Sequence, residues 1–374
     1  MLKYSPAEFP ASTSSTGSSR ATTTRRPSWG KPMPDLGRPE SMTGKERRFT
    51  LEQGIAFVEQ ACVSAGASPM AAASLARATV SAETYGRSSV GFQHLPDYLD
   101  GFRSGRINGT AEPEIAIPLP ALLQVDARGG IAQLGFDLAF AAFCQSVTQL
   151  GIAVFAQRNS FTAGEIGYYT RRLMKVGLVA LAVSNGPPLL SPPGAKRPVY
   201  CTNPLAFGAP STGGSGILID QAASQTAFVS VRERAAKGEQ LPAGWALDSN
   251  GEPTTDPFQA LAGSLTTFGG ARGANIALMV EIMAAGLTGA NWSVDAPGFA
   301  SGTETPGAGL FIIALATEQL APGLDGRLTQ QMGRLSGLGV HIPGRDRSEQ
   351  EARARAHGFT VPAEIIERIE AFAV

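Results

Sequence analysis

The chain has 374 residues, of which 43% are hydrophobic and 17% are charged, a length and composition typical of a folded protein with two domains. Its 31 basic and 31 acidic side chains cancel, which excludes binding to nucleic acid or to a membrane surface through net charge alone. Three widely spaced cysteines and only three histidines argue against a disulfide framework and a histidine-rich metal site, and no apolar run reaches the roughly 18 residues of a spanning helix, so we expect a cytoplasmic protein without a metal.

Residues 1–44 are predicted to be a disordered N-terminal extension. Ten of the fifteen residues 11–25 are Ser or Thr, and such a segment buries too little apolar surface to fold. It contains no apolar core of a signal peptide. A transit peptide is one explanation, and a misassigned start with Met42 as the true initiator is the other. Three acidic residues within the extension favour the second.

Helices are predicted for residues 45–120, the first part of a helical domain. Thr50 and Gln53 have the spacing of a capping box, and Ser68 precedes Pro69 at the start of a second helix. A third helix is predicted over residues 96–103.

A second type of organisation begins at residue 121. Short apolar runs of strand length alternate with helical periodicity, which predicts a central α/β domain over residues 121–270. The predicted strands cover residues 122–125, 152–155, 178–183, 217–219 and 310–314. The segment 271–374 begins with an apolar helix and ends in charged helices, and we assign it as the return segment that completes the helical domain.

A glycine-rich turn precedes the apolar helix that starts near residue 273. Gly270 and Gly273 let the backbone approach a ligand, the helix N-terminus favours an anion, and Arg272 adds a charge suited to phosphate. A tight turn before a buried helix explains the same residues equally well. The dinucleotide fingerprint G-x-G-x-x-G and the Walker A loop are absent, so a nicotinamide cofactor would have to be bound in another way.

Three further polar positions follow predicted strands and are candidates for a ligand site. They are the turn containing Asn185 and Gly186, the turn Thr202-Asn203-Pro204, and the carboxylate Asp220. Each can also be explained as an ordinary turn or a capping residue. Cys201 is interpreted as a small core residue and not as a nucleophile.

Taken in order, these motifs resemble those of the malate/L-lactate dehydrogenase-like oxidoreductases. The resemblance covers roughly residues 48–370, through the segments 86–98, 105–108, 158–169, 202–204, 242–248, 253–257, 269–273 and 342–344. It implies a mixed α/β fold that is not a Rossmann fold, in which a helical domain for substrate and dimer contacts, built from both ends of the chain, accompanies a central cofactor domain. It also implies a homodimer that uses NADH or NADPH on 2-oxo acids or cyclic imino acids.

The chain departs from this family at residues near the reacting carbon. Val90 and Thr162 stand where the family commonly has histidines, His94 where it commonly has Arg, and Arg272 where it usually has Lys. Reduction of a 2-oxo acid creates an alkoxide that needs a proton donor, usually His. A cyclic ketimine is protonated on nitrogen before hydride arrives, so its reduction needs no strong acid. The departures therefore favour the branch that reduces Δ1-pyrroline-2-carboxylate and Δ1-piperideine-2-carboxylate, which the sequence also resembles.

The resemblance assigns roles to particular residues. Ser89, His94 and Thr162 would hydrogen-bond the substrate, and Asp220 would favour its iminium form. The cofactor-binding residues would be Ser160, Gly164, Asn185, Gly186, Thr202, Asn203, Pro204, Gly270, Arg272 and Gly273.

Three other hypotheses remain open at this point. One is a 2-oxo acid reductase of the malate or lactate type, with His94 as the general acid. Another is a non-catalytic protein that binds the cofactor, and a third is a decayed active site in which Val90 and Thr162 replaced functional histidines.

Overall fold

The computed structural model describes residues 46–213, 216–300 and 302–372, so the predicted extension 1–44 lies outside the described residues. Its strands, in chain order, are β1 Glu46–Phe49, β2 Glu114–Leu119, β3 Leu122–Asp126, β4 Ile152–Ser160, β5 Leu178–Ser184, β6 Leu190–Ser191, β7 Leu205–Ala209, β8 Ile217–Gln221, β9 Ala246–Leu247, β10 Pro253–Thr254, β11 Ser264–Thr266, β12 Ala308–Ala316 and β13 Phe359–Pro362. Its α-helices are α1 Leu51–Ser64, α2 Pro69–Thr84, α3 Leu95–Ser104, α4 Ala132–Leu150, α5 Ile166–Met174, α6 Phe228–Lys237, α7 Pro257–Ala262, α8 Ala271–Glu281, α9 Thr317–Leu320, α10 Leu324–Gly337, α11 Arg345–His357 and α12 Ala363–Glu370. Across these ranges, no helix combines the length and apolarity that crossing a bilayer requires.

Both ends of the described chain build one helical part. Strand β1 pairs antiparallel with β13, and the core between α1, α2 and α3 also takes in Ile365, Ile366 and Ile369 of α12. The predicted caps are present: Thr50 and Gln53 form a reciprocal capping box, and the Ser68 hydroxyl accepts a hydrogen bond from the Ala71 amide. The prediction that N- and C-terminal segments meet in a helical part is confirmed.

The large central sheet is mixed and has the strand order β2-β3-β4-β12-β5-β7-β8. Strands β3 and β4 are parallel and joined through α4, whereas β12 runs antiparallel to both of its neighbours. Helices α4 and α5 cover one face, and α8 with the π-helical turn Ile282–Gly286 covers part of the other. This mixed order differs from the parallel order of a Rossmann sheet, as predicted.

The boundary placed at residue 271 needs a correction. Strand β12 lies within the segment 271–374 that was assigned to the helical domain, yet it occupies the middle of the central sheet. The helix α8 also packs on that sheet, through Val280. Hydrogen bonding between strands far apart in sequence decides this placement, and the sequence pattern of β12 alone does not specify its neighbours.

A smaller sheet, with the order β10-β9-β11-β6, has its own core with α6 and α7. Leu190, Val231 and Leu265 are buried in that core. Two-residue strands such as β6 and β9 are too short for hydrophobic alternation to reveal. This sheet matters for function because the glycine-rich turn follows β11 directly.

Candidate active site

The loop after α2 carries the first group of predicted site residues, and the buried carboxylate of Glu83 organises it. Glu83 Oε1 accepts a hydrogen bond of 2.7 Å from the Ser88 hydroxyl, and Oε2 accepts one of 3.0 Å from the Phe92 amide. Gly91 allows this approach, since a Cβ there would lie 2.6 Å from Glu83 Oε2. Ser89 lies on the short 3₁₀ turn that Glu83 holds.

His94 is fixed by two neighbours on α3. Its Nδ1 lies 2.9 Å from Asp97 Oδ2, and its ring meets the Tyr98 ring edge-on with centroids 5.1 Å apart. In the neutral tautomer that donates from Nδ1 to Asp97, Nε2 is an acceptor. His94 therefore supplies a proton to a ligand from Nε2 only when it is an imidazolium.

Thr162 and Gly164 lie close to the Tyr98 hydroxyl. Gln133 donates to this hydroxyl over 3.1 Å, and a Cβ at Gly164 would lie 3.2 Å from it. The Thr162 hydroxyl accepts a 3.3 Å hydrogen bond from the Gly164 amide. His94, Thr162 and Gly164, which the sequence predicted as site residues, are thus neighbours around Tyr98.

An aromatic cluster extends from Tyr98 towards Gly186, another predicted site position. Phe161 lies between Tyr98 and Phe299, with centroid distances of 5.7 and 6.0 Å. A Cβ at Gly186 would lie 3.0 Å from Phe299 and 3.3 Å from the sulfur of Cys201. Burial raises the pKa of the Cys201 thiol to about 11, which supports its interpretation as a core residue. Phe299 was not predicted, because an isolated Phe in a loop carries no sequence signal.

Asp220 lies on β8 with a side chain that is 13% exposed, and it is paired with Arg87. Arg87 Nη2 donates to the Asp220 backbone oxygen over 2.7 Å and lies 3.3 Å from Oδ2. Burial raises the pKa of the Asp220 carboxyl, the charge of Glu165 adds to this, and Arg87 and other arginines oppose it. Arg87 was missed as a site residue, although it lies in the segment 86–98 that pointed to the family.

Several predicted cofactor contacts have side chains already hydrogen-bonded within the protein. Asn185 donates to the Asn291 carbonyl over 2.8 Å and accepts from the Gly309 amide over 2.9 Å. Asn203 donates to Ala277 and to Glu281, while its Oδ1 is buried without a partner. Asn185 and Asn203 therefore tie the ends of β5 and β7 to the segments around α8 and β12.

The remaining predicted positions of this group contribute mainly backbone. The Ser160 hydroxyl accepts from Gln157 over 2.9 Å, and the Pro204 carbonyl accepts from the Ser184 amide over 3.2 Å. The Thr202 hydroxyl oxygen lies 4.0 Å from the Cys201 sulfur. The assignment of these residues to the cofactor stays a prediction.

The glycine-rich turn is the candidate position for a bound pyrophosphate. Gly269 and Gly270 have φ values of +56° and +61°, a backbone conformation that favours glycine, and a Cβ at either would have its nearest neighbour 4.0 Å away. Gly273 is required for a different reason, because a Cβ there would lie 2.2 Å from the Phe268 carbonyl oxygen. Gly269 and Gly270 border a pocket of about 600 Å³ whose other walls come from the small sheet. Arg272 is exposed on the first turn of α8. The turn thus combines a bordering pocket, a helix N-terminus and a cation.

Comparison with known proteins agrees with this fold. A family model described as malate/L-lactate dehydrogenase matches residues 49–370. The chain is 36% identical over 301 residues to a (2R)-3-sulfolactate dehydrogenase (NADP(+)) of Chromohalobacter salexigens, which covers 80% of this chain and 90% of the relative. It is 35% identical over 312 residues to a Delta(1)-pyrroline-2-carboxylate/Delta(1)-piperideine-2-carboxylate reductase of Pseudomonas syringae pv. tomato, which covers 82% and 91% of the two chains.

A solved structure extends the likeness to three dimensions. The crystal structure of delta1-piperideine-2-carboxylate reductase from Pseudomonas syringae matches with a TM-score of 0.83 and 34% identity, over 87% of this chain and all of that one. The fold and the family match together define an oxidoreductase with a mixed sheet that is not a Rossmann sheet. The chain belongs to the malate/L-lactate dehydrogenase family, as its motifs predicted.

Proposed function

We propose that the protein reduces a cyclic ketimine acid, Δ1-pyrroline-2-carboxylate or Δ1-piperideine-2-carboxylate, to L-proline or L-pipecolate. Relatives with reductase names of this kind match most of the chain, and so does a solved structure. The observation that carries the proposal is the partly buried, arginine-held carboxylate of Asp220, together with Val90 at the position where the family commonly has a histidine. A fixed negative charge stabilises an iminium, whereas an alkoxide would need a proton donor.

The roles of the residues follow from this charge. NADH or NADPH, when bound, would supply the hydride that adds to C2 of the imine. Asp220 would stabilise the positive charge on the ring nitrogen, and the Ser89 and Thr162 hydroxyls with His94 would hydrogen-bond the substrate. The aromatic cluster of Tyr98, Phe161 and Phe299 would exclude water from the reacting atoms.

The cofactor would be held at two groups of residues. Gly270, Arg272 and Gly273 would bind the pyrophosphate at the N-terminus of α8. Ser160, Gly164, Asn185, Gly186 and Thr202-Asn203-Pro204 would line the nicotinamide side, chiefly through backbone groups and the unpartnered Oδ1 of Asn203.

A second candidate function is reduction of a 2-oxo acid. The relative named as a sulfolactate dehydrogenase favours it, since that enzyme acts at a carbon bearing oxygen. In this case the imidazolium of His94, held by Asp97, would donate the proton to the alkoxide.

The test mixes the purified protein with NADPH or NADH and follows cofactor absorbance after adding each candidate substrate. The two cyclic imines form one arm, and pyruvate, oxaloacetate and 3-sulfopyruvate form the other. We expect oxidation of the cofactor with the imines, and loss of that turnover in Asp220→Asn. Turnover with the 2-oxo acids alone would establish the second candidate, and cofactor binding without any turnover would support a non-catalytic protein.

Three further properties are proposed from the family resemblance. They are a homodimer, a cytoplasmic location and a place in proline metabolism, with a small molecule and not a nucleic acid or membrane as the partner. Light scattering after gel filtration should give about twice the chain mass of 38.8 kDa. A mass equal to a single chain would contradict the homodimer.

A further inference from the structure

A cluster of charged side chains surrounds Asp220 on the face of the central sheet that α5 covers. It contains two carboxylates, those of Asp220 and Glu165, and three guanidiniums, those of Arg87, Arg171 and Arg347. The cluster joins four parts of the fold, namely β8, α5, the loop after α2 and α11. Its five charges leave one positive charge in excess.

Within the cluster, Arg171 is committed to other partners. It makes two hydrogen bonds to Glu165, of which the Nη2–Oε2 bond is 2.7 Å long, and both side chains are almost fully buried. It also donates to the Ser81 hydroxyl over 2.9 Å and stacks 4.0 Å from the Tyr85 ring centroid. Its charge is therefore largely balanced by Glu165.

Arg87 has a different geometry, because one of its nitrogens contacts both the backbone and the side chain of Asp220. Nη2 lies 2.7 Å from the carbonyl oxygen and 3.3 Å from Oδ2. A single group that holds the main chain and the carboxylate of the same residue limits rotation of that side chain. In the described residues, the ion pair of Asp220 is with Arg87.

We propose that Arg87 is a positioning residue, which supplies the counter-charge of the Asp220 carboxylate and holds it oriented for the iminium, against the opposing charge of Glu165. This inference rests on the proposed function for its role in catalysis. The contact between Arg87 and Asp220 itself does not depend on that function. Arg87 acts through Asp220 and not on the substrate.

Two substitutions in this cluster should shift the pKa of the Asp220 carboxyl in opposite directions. Asp220 is faced by Arg87 from the loop after α2, by Glu165 at the N-cap of α5, by Arg171 within α5, and by Arg347 from α11. Burial and Glu165 raise the pKa of the Asp220 carboxyl, and the arginines lower it. Removing the charge of Arg87 should raise this pKa further, whereas removing the charge of Glu165 should lower it.

The experiment is a carbon-13 NMR titration of the aspartate carboxyls in the whole protein without substrate, with the Asp220 signal assigned by its absence in Asp220→Asn. In Arg87→Gln we expect the pKa of Asp220 to rise by about 1–3, the usual effect of a nearby opposite charge. In Glu165→Gln we expect it to fall. Arg87→Lys keeps the charge, so the pKa should stay close to that of the wild type. Arg128→Gln is the matched control, because Arg128 pairs with Glu114 at the protein surface.

The pH profile of kcat/KM with the cyclic imine provides the second measurement. Its acid limb should move to higher pH in Arg87→Gln and to lower pH in Glu165→Gln, following the titration. Arg87→Lys should keep the limb in place but lower kcat, because the lysine amine is one bond closer to the main chain than Arg87 Nη2 and falls short of both contacts. If Arg87→Gln does not fold, Arg87→Lys provides the test, because we expect it to lower kcat without moving the acid limb of the pH profile.

Two results separate this inference from the proposed function. An unchanged Asp220 titration in Arg87→Gln, with imine turnover retained, would overturn the role of Arg87 and leave the function standing. A shifted titration in a protein that turns over only 2-oxo acids would contradict the imine substrate and keep the charge linkage. A kcat in Arg87→Lys equal to the wild-type value would show that orientation by Arg87 is unnecessary.

Discussion

Two carboxyl side chains, Glu83 and Asp220, are withdrawn from water near the candidate site but are compensated differently. Asp220 has an arginine, whereas the partners of Glu83 among the described residues are the neutral donors of Ser88 and Phe92. Burial raises the pKa of Glu83, and its two hydrogen bonds offset this in part. A buried carboxyl without a cation remains easier to protonate than one in water.

The free energy of unfolding should therefore depend on pH through the ionisation of Glu83. Its pKa in the folded protein lies above the ordinary value of 4.5, so the folded state binds the proton more tightly than the unfolded state. The stability contributed by protonated Glu83 is fully present below 4.5 and is lost as pH rises through the folded-state pKa. Glu83→Gln stays neutral, so its Tm relative to the wild type should increase over that range. A Tm difference that is the same at every pH would contradict this account.

The role of His94 can also be tested at one residue. His94→Ala should lower kcat for the cyclic imine by less than about 10-fold, because loss of a true general acid typically costs about 10²–10⁴-fold. The ring packs on Tyr98 and its Nδ1 bonds Asp97, so the alanine variant should lose substrate positioning more than proton transfer. Steady-state kinetics on both substrate classes measure this. A loss of 10³-fold on the imine would make His94 the proton donor.

At the scale of elements, the turn before α8 depends on glycine for two separate reasons. Gly270 needs its left-handed backbone, and Gly273 needs the space beside the Phe268 carbonyl. Gly326 in α10 meets neither condition, since a Cβ there contacts nothing within 4 Å. Glycine is therefore required at position 273 in α8 and dispensable at position 326 in α10.

Alanine substitution should separate the two cases. Gly273→Ala should lower Tm and weaken cofactor binding, because a Cβ 2.2 Å from a carbonyl oxygen forces the turn apart. Gly326→Ala should raise stability by about 0.5–1 kcal/mol, the usual gain in helix propensity. Thermal melts and calorimetric titration with NADPH and NADH provide the measurements. Unimpaired cofactor binding by Gly273→Ala would argue against the turn as the pyrophosphate site.

Local signals were enough to predict most helices and five of the seven strands of the large sheet, but not β2 and β7. The capping residues Thr50 and Ser68 and the apolar run of β5 lie next to the elements that they specify. The position of β12 between β4 and β5, the pairing of β1 with β13, and the small sheet depend on contacts between distant segments, which no local pattern encodes.

The side-chain partners at the candidate site were less predictable. Family motifs singled out Asp220, His94 and the glycine-rich turn as candidates, but they did not reveal that Arg87 holds Asp220 or that Phe299 lies against Gly186. They also assigned Asn185 and Asn203 to the cofactor, although both side chains tie secondary-structure elements together. A motif marks which positions matter, while the partner of each side chain depends on the fold.

At the scale of the whole molecule, β13 and α12 complete a core that begins at β1. Phe359, Val361, Ile365, Ile366 and Ile369 are buried there with residues of α1, α2 and α3. Each side chain of this size contributes about 1.5–3 kcal/mol when buried, so five of them rival a typical total stability of about 5–15 kcal/mol.

Truncation after residue 358 should therefore unfold the helical part. We expect faster proteolysis of residues 46–110 and a loss of helical circular dichroism compared with the full chain. Deletion of a surface segment of α10 is the control, since a single residue of that helix, Met332, is buried. A truncated chain with an unchanged melting curve would show that the N-terminal helices are stable alone.

The position of β12 also has a consequence for synthesis on the ribosome. Strands β4 and β5 emerge early, but the strand that bridges them emerges only after the whole small sheet has been made. At about 5–20 residues per second, the facing edges of β4 and β5 wait on the order of ten seconds without their partner. Unpaired strand edges adhere to other chains. The nascent protein thus passes through a period in which the unpaired edges of its central sheet can aggregate. Chaperone capacity during expression should therefore limit the yield of this protein more than its final stability does.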